Sequence, residues 1–237
     1  MCKELKKAVI KVYLIRHGMT EGNLKKRYIG TTDESLCRVG REKITENCRH
    51  AMYPQAERVY VSPKKRCMET AKLIYPGTAF QVVADLSECD FGLFENKNYQ
   101  ELSDCPEYQA WIDSNGTLPF PDGESRKDFQ KRSVEAFEKC IKECAKEGIT
   151  RVAFVVHGGT IMGIMEKYAS PSGDYYDYQI ENGEGYELTM ANDASGGSRI
   201  CTGSSAGGSE MAVPSGAADR GIDIRDGKNY QRLTSKK

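Results

Sequence analysis

Histidine is scarce in this chain, three in 237 residues, and two of the three stand in the same local setting. His17 follows the apolar run Val9-Ile10-Lys11-Val12-Tyr13-Leu14-Ile15 and Arg16, and is followed by Gly18. His157 follows Val152 to Val156 and is followed by Gly158-Gly159-Thr160. Glycine lets a backbone approach a ligand closely. In open α/β sheets, ligand sites form beyond the carboxyl ends of the strands. A helix opening at Gly158-Gly159-Thr160 would present its first amides to an anion. Arg16 adjoins His17, and Arg66 falls one turn into the helix expected after Ser62-Pro63. Guanidinium forks hold phosphate oxygens in bidentate fashion. Alone, each arginine is an ordinary surface charge and each histidine an ordinary core or surface residue. Together they predict a phosphate-handling site. The third histidine, His50, lies in a polar stretch and is read as a solvated surface residue.

The elements that must position these groups are readable in outline. Ala8 to Ile15 and Arg151 to Val156 are nearly continuous apolar runs, as strands buried on both faces require. Arg58 to Val61 and Phe80 to Val83 are two shorter strands. A helix is expected over Gly40 to Tyr53, closed by Pro54. Another is expected from Ser62 as cap and Pro63 as first helical residue to about Tyr75, stopped by Pro76-Gly77. Asn98 to Asp113 reads as partly helical, interrupted at Pro106. From about Ser125 to Glu147, Phe129, Val134, Phe137, Ile141 and Cys144 fall close to one face of an amphipathic helix. Tyr175 to Met190 alternates around Asn182-Gly183, a hairpin signal. Strands alternating with helices predict a layered α/β domain with a mostly parallel sheet. From Asn192 to Gly216 the chain is rich in Ser, Gly and Ala, so residues 1–191 are read as one catalytic domain and 192–237 as a tail or appendage.

Composition excludes several classes. Lys+Arg and Asp+Glu are both 34, so there is no basic excess to suggest nucleic acid or a membrane surface as partner. No stretch approaches the roughly 20 apolar residues of a bilayer span. Met1 to Lys7 is charged and lacks the apolar core of a signal peptide, so a cytoplasmic location is expected. The nine cysteines are scattered, odd in number and free of CxxC pairs, which suits reduced thiols.

The ordered motifs resemble those of the histidine phosphatase, or phosphoglycerate mutase-like, superfamily. Leu14 to Asn23 is similar to its LIRHGxTxxN signature, and Gly30 to Leu36 to its GxxDxxL segment. Ser62 to Ala71 resembles its SPxxRxxxTA helix, Leu86 to Gly92 its LxExxFG segment, and Val155 to Thr160 its second-histidine motif. The resemblance spans residues 8–190. It implies a three-layer α/β fold, helices on both faces of the sheet, and two-step phosphoryl transfer. In that scheme His17 attacks phosphorus with one neutral ring nitrogen while the other donates to a backbone carbonyl. Arg16, Arg66 and His157 surround the equatorial oxygens. Glu88 protonates the leaving oxygen and later activates water, a role that favours a raised carboxyl pKa. Asn23, Thr20, Gly30 and Gly158 are implied as substrate-binding positions. No metal and no cofactor is called for.

Two departures stand out. Phe94-Glu95-Asn96 loses the glycine of the family's aromatic-Glu-Gly run, and Ile29 stands where some relatives carry a polar residue. Only the 68 residues from 89 to 156 separate Glu88 from His157, which resembles the shorter phosphatases rather than the mutases. The expected partner is a small phosphorylated metabolite, with α-ribazole 5′-phosphate of cobalamin synthesis one candidate. Phosphoglycerate mutase-type transfer and a non-catalytic phospho-ligand binder are the alternatives. The oligomeric state, monomer or homodimer, is left open by the sequence.

Overall fold

The structure is a computed structural model and describes residues 9–192, 198–199 and 228–233. Strand β1 (Val9–Arg16) runs parallel to β4 (Arg151–Val156) and antiparallel to β5 (Gly185–Asn192). Beyond β4 lie β2 (Arg58–Val61) and the short β3 (Gln81–Val82), both parallel. On the other side, β6 (Ser198–Arg199) and β7 (Tyr230–Leu233) pair antiparallel with opposite ends of β5. The order β3-β2-β4-β1-β5 makes a mostly parallel sheet with an antiparallel edge.

The period of two along β1 explains the layers. Ile10, Val12 and Leu14 point to one face, where they meet Phe137 and Ile141 of α5 (Arg126–Lys146) and Ile161 and Ile164 of α6 (Gly158–Tyr168). Tyr13 and Ile15 point to the other, against Ile44 of α2 (Arg38–Arg49) and Cys67, Ala71 and Ile74 of α3 (Lys65–Ile74). Helices therefore cover both faces. A third apolar cluster, built on Phe94, Leu102, Phe120 and Phe129, lies apart from both. Its buried members come from residues 89–120, the segment that includes α4 (Pro106–Asp113), and from Phe129 of α5.

Several expectations need correction. The helix after β2 begins at Lys65, not Pro63, and its cap residue Lys64 makes no side-chain capping bond, its ammonium donating instead to the Thr31 carbonyl. The Ser62 hydroxyl is committed elsewhere. Helix α2 starts two residues before Gly40, capped by the Cys37 thiol, and ends at Arg49. Gly40 is tolerated inside it because a Cβ there would sit 2.1 Å from the Met19 carbonyl oxygen. Pro106 begins α4 at its first position instead of interrupting a helix, since Pro has no N–H to lose there. Asn182-Gly183 is not a hairpin tip. The residues before it form a 3-10 turn at Tyr175–Tyr178, and β5 pairs with β1 instead. Within the stretch read as a tail, Tyr230–Leu233 lies in the sheet beside β5. The side chains of Cys140 and Cys144 pack in the core. His50 closes α2 on the surface, against Glu46. Among the described residues no helix is long and apolar enough to cross a membrane.

Candidate active site

Register alone brings the two histidines together. Arg16 is level with Val156 in adjacent parallel strands, so His17 and His157 leave the sheet side by side. Neighbouring strands lie about 4.8 Å apart. The rings are accordingly close, 5.2 Å between centroids and inclined at 66°. Val61 is level with Val155 on the next strand, which sets Ser62 beside His157. The Ser62 hydroxyl lies 2.7 Å from His157 Nε2, so the residue expected to cap α3 orients the second histidine. Both histidines are buried.

The His17 tautomer is fixed by its own loop. Nδ1 lies 2.7 Å from the Gly18 carbonyl oxygen, which can only accept, so Nδ1 carries the proton and Nε2 keeps its lone pair. Burial and the Arg66 and Arg16 charges push the His17 pKa well below 6.5, which holds the ring neutral. Burial, then Arg66 and His17, do the same to His157. A neutral imidazole with one free nitrogen is the state a nucleophile needs.

The loop is braced from three sides. The Gly18 amide donates to Thr70 Oγ1 at 2.9 Å. Asn182 Nδ2 donates to the His17 carbonyl and to Asn23 Oδ1, each at 3.1 Å. The Gly183 amide reaches the carbonyls of Arg16 and His17. Thr20 and Asn23 exchange side-chain and backbone bonds in a capping box at the head of α1 (Glu21–Leu24).

Arg66 is fully buried. Its Nη1 donates to the Thr32 carbonyl, and Nη2 to those of Ile29 and Gly30. Its Nε–H is buried without a partner among the described residues, as is that of Arg16, whose Nη1 donates to the Ile180 carbonyl. Thr160 Oγ1, in the first turn of α6, is likewise buried and unpartnered among the described residues. Buried donors left unpaired are costly, and phosphoryl oxygens would satisfy them. Gly158 lies against Arg16, where an added Cβ would stand 3.4 Å from Nε.

Glu88 lies beside the second histidine's loop. An added Cβ on Gly159 would fall 2.8 Å from Glu88 Oε1, so the carboxyl lies against the turn after His157. Burial raises its pKa above the ordinary 4.5, partly opposed by the Cys89 amide and the Arg66 and Arg16 charges. Arg132 holds the backbone of this segment through the carbonyls of Asp85, Ser87 and Glu88.

Gly30 is spent on structure. Its amide and that of Thr32 donate to Glu95 Oε1, and a Cβ would lie 1.9 Å from the Cys89 carbonyl oxygen. The missing glycine after Glu95 is explained at Asn96, which adopts φ 58°. Asparagine tolerates that left-handed conformation better than most residues.

Sequence reasoning passed over Ser62, Thr70, Asn182 and Arg232 as site residues. Arg232, on β7, lines the cavity that also holds Arg16 and Glu88, and it donates to the Gln179 carbonyl. Only the strand pairing at Tyr230–Leu233 brings it there.

The family model for the histidine phosphatase superfamily (branch 1) matches residues 12–198. The chain belongs to the histidine phosphatase superfamily. It is 29% identical over 167 residues to the broad-specificity phosphatase YOR283W of Saccharomyces cerevisiae, covering 67% of this chain and 70% of that one. The α-ribazole phosphatase of Shigella flexneri superposes with a TM-score of 0.64 at 21% identity, over 78% of this chain and 92% of that one. A phosphoglycerate mutase of Bacillus anthracis does so with a TM-score of 0.62 at 22% identity, over 80% and 91%. At these identities the two superpositions show that this histidine phosphatase shares their fold.

Proposed function

We propose that this histidine phosphatase hydrolyses phosphomonoesters of small metabolites through a phosphohistidine at His17. One observation carries the reading: the Gly18 carbonyl fixes the proton on Nδ1 and leaves Nε2 as a neutral nucleophile. In the first step Nε2 attacks phosphorus and the bond to the leaving oxygen breaks. Glu88, whose pKa burial pushes upward, gives that oxygen its proton. Arg16, Arg66 and His157 hold the equatorial oxygens through both steps, with Thr20, Asn23, Gly30 and Gly158 shaping the binding loop around them. In the second step Glu88, now a carboxylate, takes a proton from water. The water oxygen attacks phosphorus, the phosphorus–nitrogen bond breaks, and neutral His17 and inorganic phosphate are restored. α-Ribazole 5′-phosphate belongs in the substrate panel because an α-ribazole phosphatase shares the fold. The test is phosphate release across phosphorylated metabolites, with 3-phosphoglycerate isomerisation followed in parallel. Release from several monoesters is expected. Isomerisation without release would overturn the hydrolase reading in favour of a mutase.

A further inference from the structure

Glu88 stands between two cavities of opposite character. One, of about 510 Å³, is polar and includes Arg16, Gly158, Glu181 and Arg232 in its lining. The other, of about 310 Å³, is walled by aromatic rings. Glu88, Gly159 and Met162 line both. The phosphoryl group belongs on the Arg16 side, with the guanidinium and the α6 amides. A proton donor touches the leaving oxygen, so the rest of the leaving group extends past Glu88 into the aromatic cavity. That direction follows from the assigned role of Glu88 and rests on the hydrolase reading.

The walls of this cavity are unusually uniform. Trp111 and Phe120 stack at 5.2 Å, and Phe91 meets Phe120 edge to face at 5.0 Å. Tyr28 stands within 5.3 to 6.4 Å of Phe91, Phe94, Tyr108, Trp111 and Phe120. Met162 and Tyr176 close the remaining sides. Among the described residues, the one charged side chain in the lining besides Glu88 is Arg126, whose guanidinium lies over the rings of Tyr175 and Tyr176 at 5.7 and 6.0 Å. A hydroxylated or amino-acid leaving group would lose its water here and find few partners in return. A flat ring would exchange water for edge and face contacts. A cavity of this size admits one or two fused rings, at the small end of the range for ligand sites.

We infer that the substrate class is the phosphomonoester of an alcohol bearing an aromatic ring, with the ring seated between Trp111, Phe120, Met162 and Tyr176. The test compares 2-phenylethyl phosphate with glycerol 1-phosphate. Both release ordinary alkoxides, so leaving-group basicity does not confound the comparison. The expected result is a kcat/KM for the phenyl compound on the order of ten- to a hundredfold higher, the value of burying one ring. Tyr176 is 49% exposed, so Tyr176→Ala trims the cavity without opening the core. It should bring the ratio of the two kcat/KM values toward one. Calorimetry on His17→Ala reads the same preference as binding, without turnover. Equal kcat/KM values in the wild type and equal affinities in His17→Ala would overturn the inference. Ring-selective binding with no phosphate release from either compound would uphold it and overturn the hydrolase reading instead.

Discussion

Asn182 is the residue on which the geometry of the nucleophile loop can be tested most sharply. It is buried, 5% exposed, and its Nδ2 spans two acceptors, the His17 carbonyl and Asn23 Oδ1. Asn182→Ala removes two hydrogen bonds worth about 1 kcal/mol each. Neither acceptor is orphaned, because the His17 carbonyl keeps the Gly183 amide and Asn23 Oδ1 keeps the Thr20 amide. The expected loss of stability is therefore about 2 kcal/mol. Asn182→Asp has the same shape and the opposite consequence. It sets a carboxylate oxygen against two acceptors at the 3.1 Å separations, so the charged form costs more than the deletion, about 3 kcal/mol or more. Protonation converts that oxygen to a donor and relieves the clash. The folded state thus raises the pKa of the introduced carboxyl, and stability is lost as pH rises from about 4. Urea unfolding of both variants at pH 4.5 and pH 8 reads this order. An aspartate variant as stable as wild type at pH 8 would refute the bridging role of Asn182.

Four further outcomes follow from the same site. Glu88→Gln should lower kcat about 100- to 10,000-fold on alkyl phosphomonoesters, and by much less in the first step on aryl esters, which need no proton; stopped-flow and steady-state rates on a matched pair check this. The pH profile of kcat/KM should keep its acid limb below 6.5, because His17 titrates well below that value, and its basic limb should lie above 4.5, because Glu88 is raised. In Glu88→Gln the basic limb should vanish. The lowered histidine pKa values also mean that the unfolded chain binds protons the folded chain refuses, so denaturation midpoints should fall as pH drops below 6.5. Gly30→Ala must move either the 30–32 loop or the Cys89 carbonyl, and thermal unfolding should show a loss of about 3 kcal/mol, the upper end for overpacking, or more.

The parts of the fold that were legible in the sequence are those with local causes. β1 and β4 declare themselves because central strands are apolar on both faces, and α5 because one face carries its apolar residues. The pair His17 and His157 was legible for the same reason: each ends such a strand. Ser62 was not, because a serine before proline carries a helix-cap signal, and nothing local says that its hydroxyl will go to a histidine 95 residues away. Asn182-Gly183 looks like a hairpin turn, yet its partners are Arg16 and His17, on a strand that sequence alternation cannot assign to it. Arg232 follows a long Gly- and Ser-rich stretch and enters the site only through pairing with β5, a contact between distant segments. The Asn96 departure reads as a lost glycine in sequence and as a left-handed asparagine in structure.

The central claim is that His17 Nε2 becomes phosphorylated during turnover. Single-turnover labelling with a radioactive phosphomonoester, quenched in base and in acid, tests it directly. The account predicts a base-stable, acid-labile phosphoenzyme in the wild type that is absent from His17→Ala. Labelling that survives His17→Ala, or an acid-stable label, would contradict it.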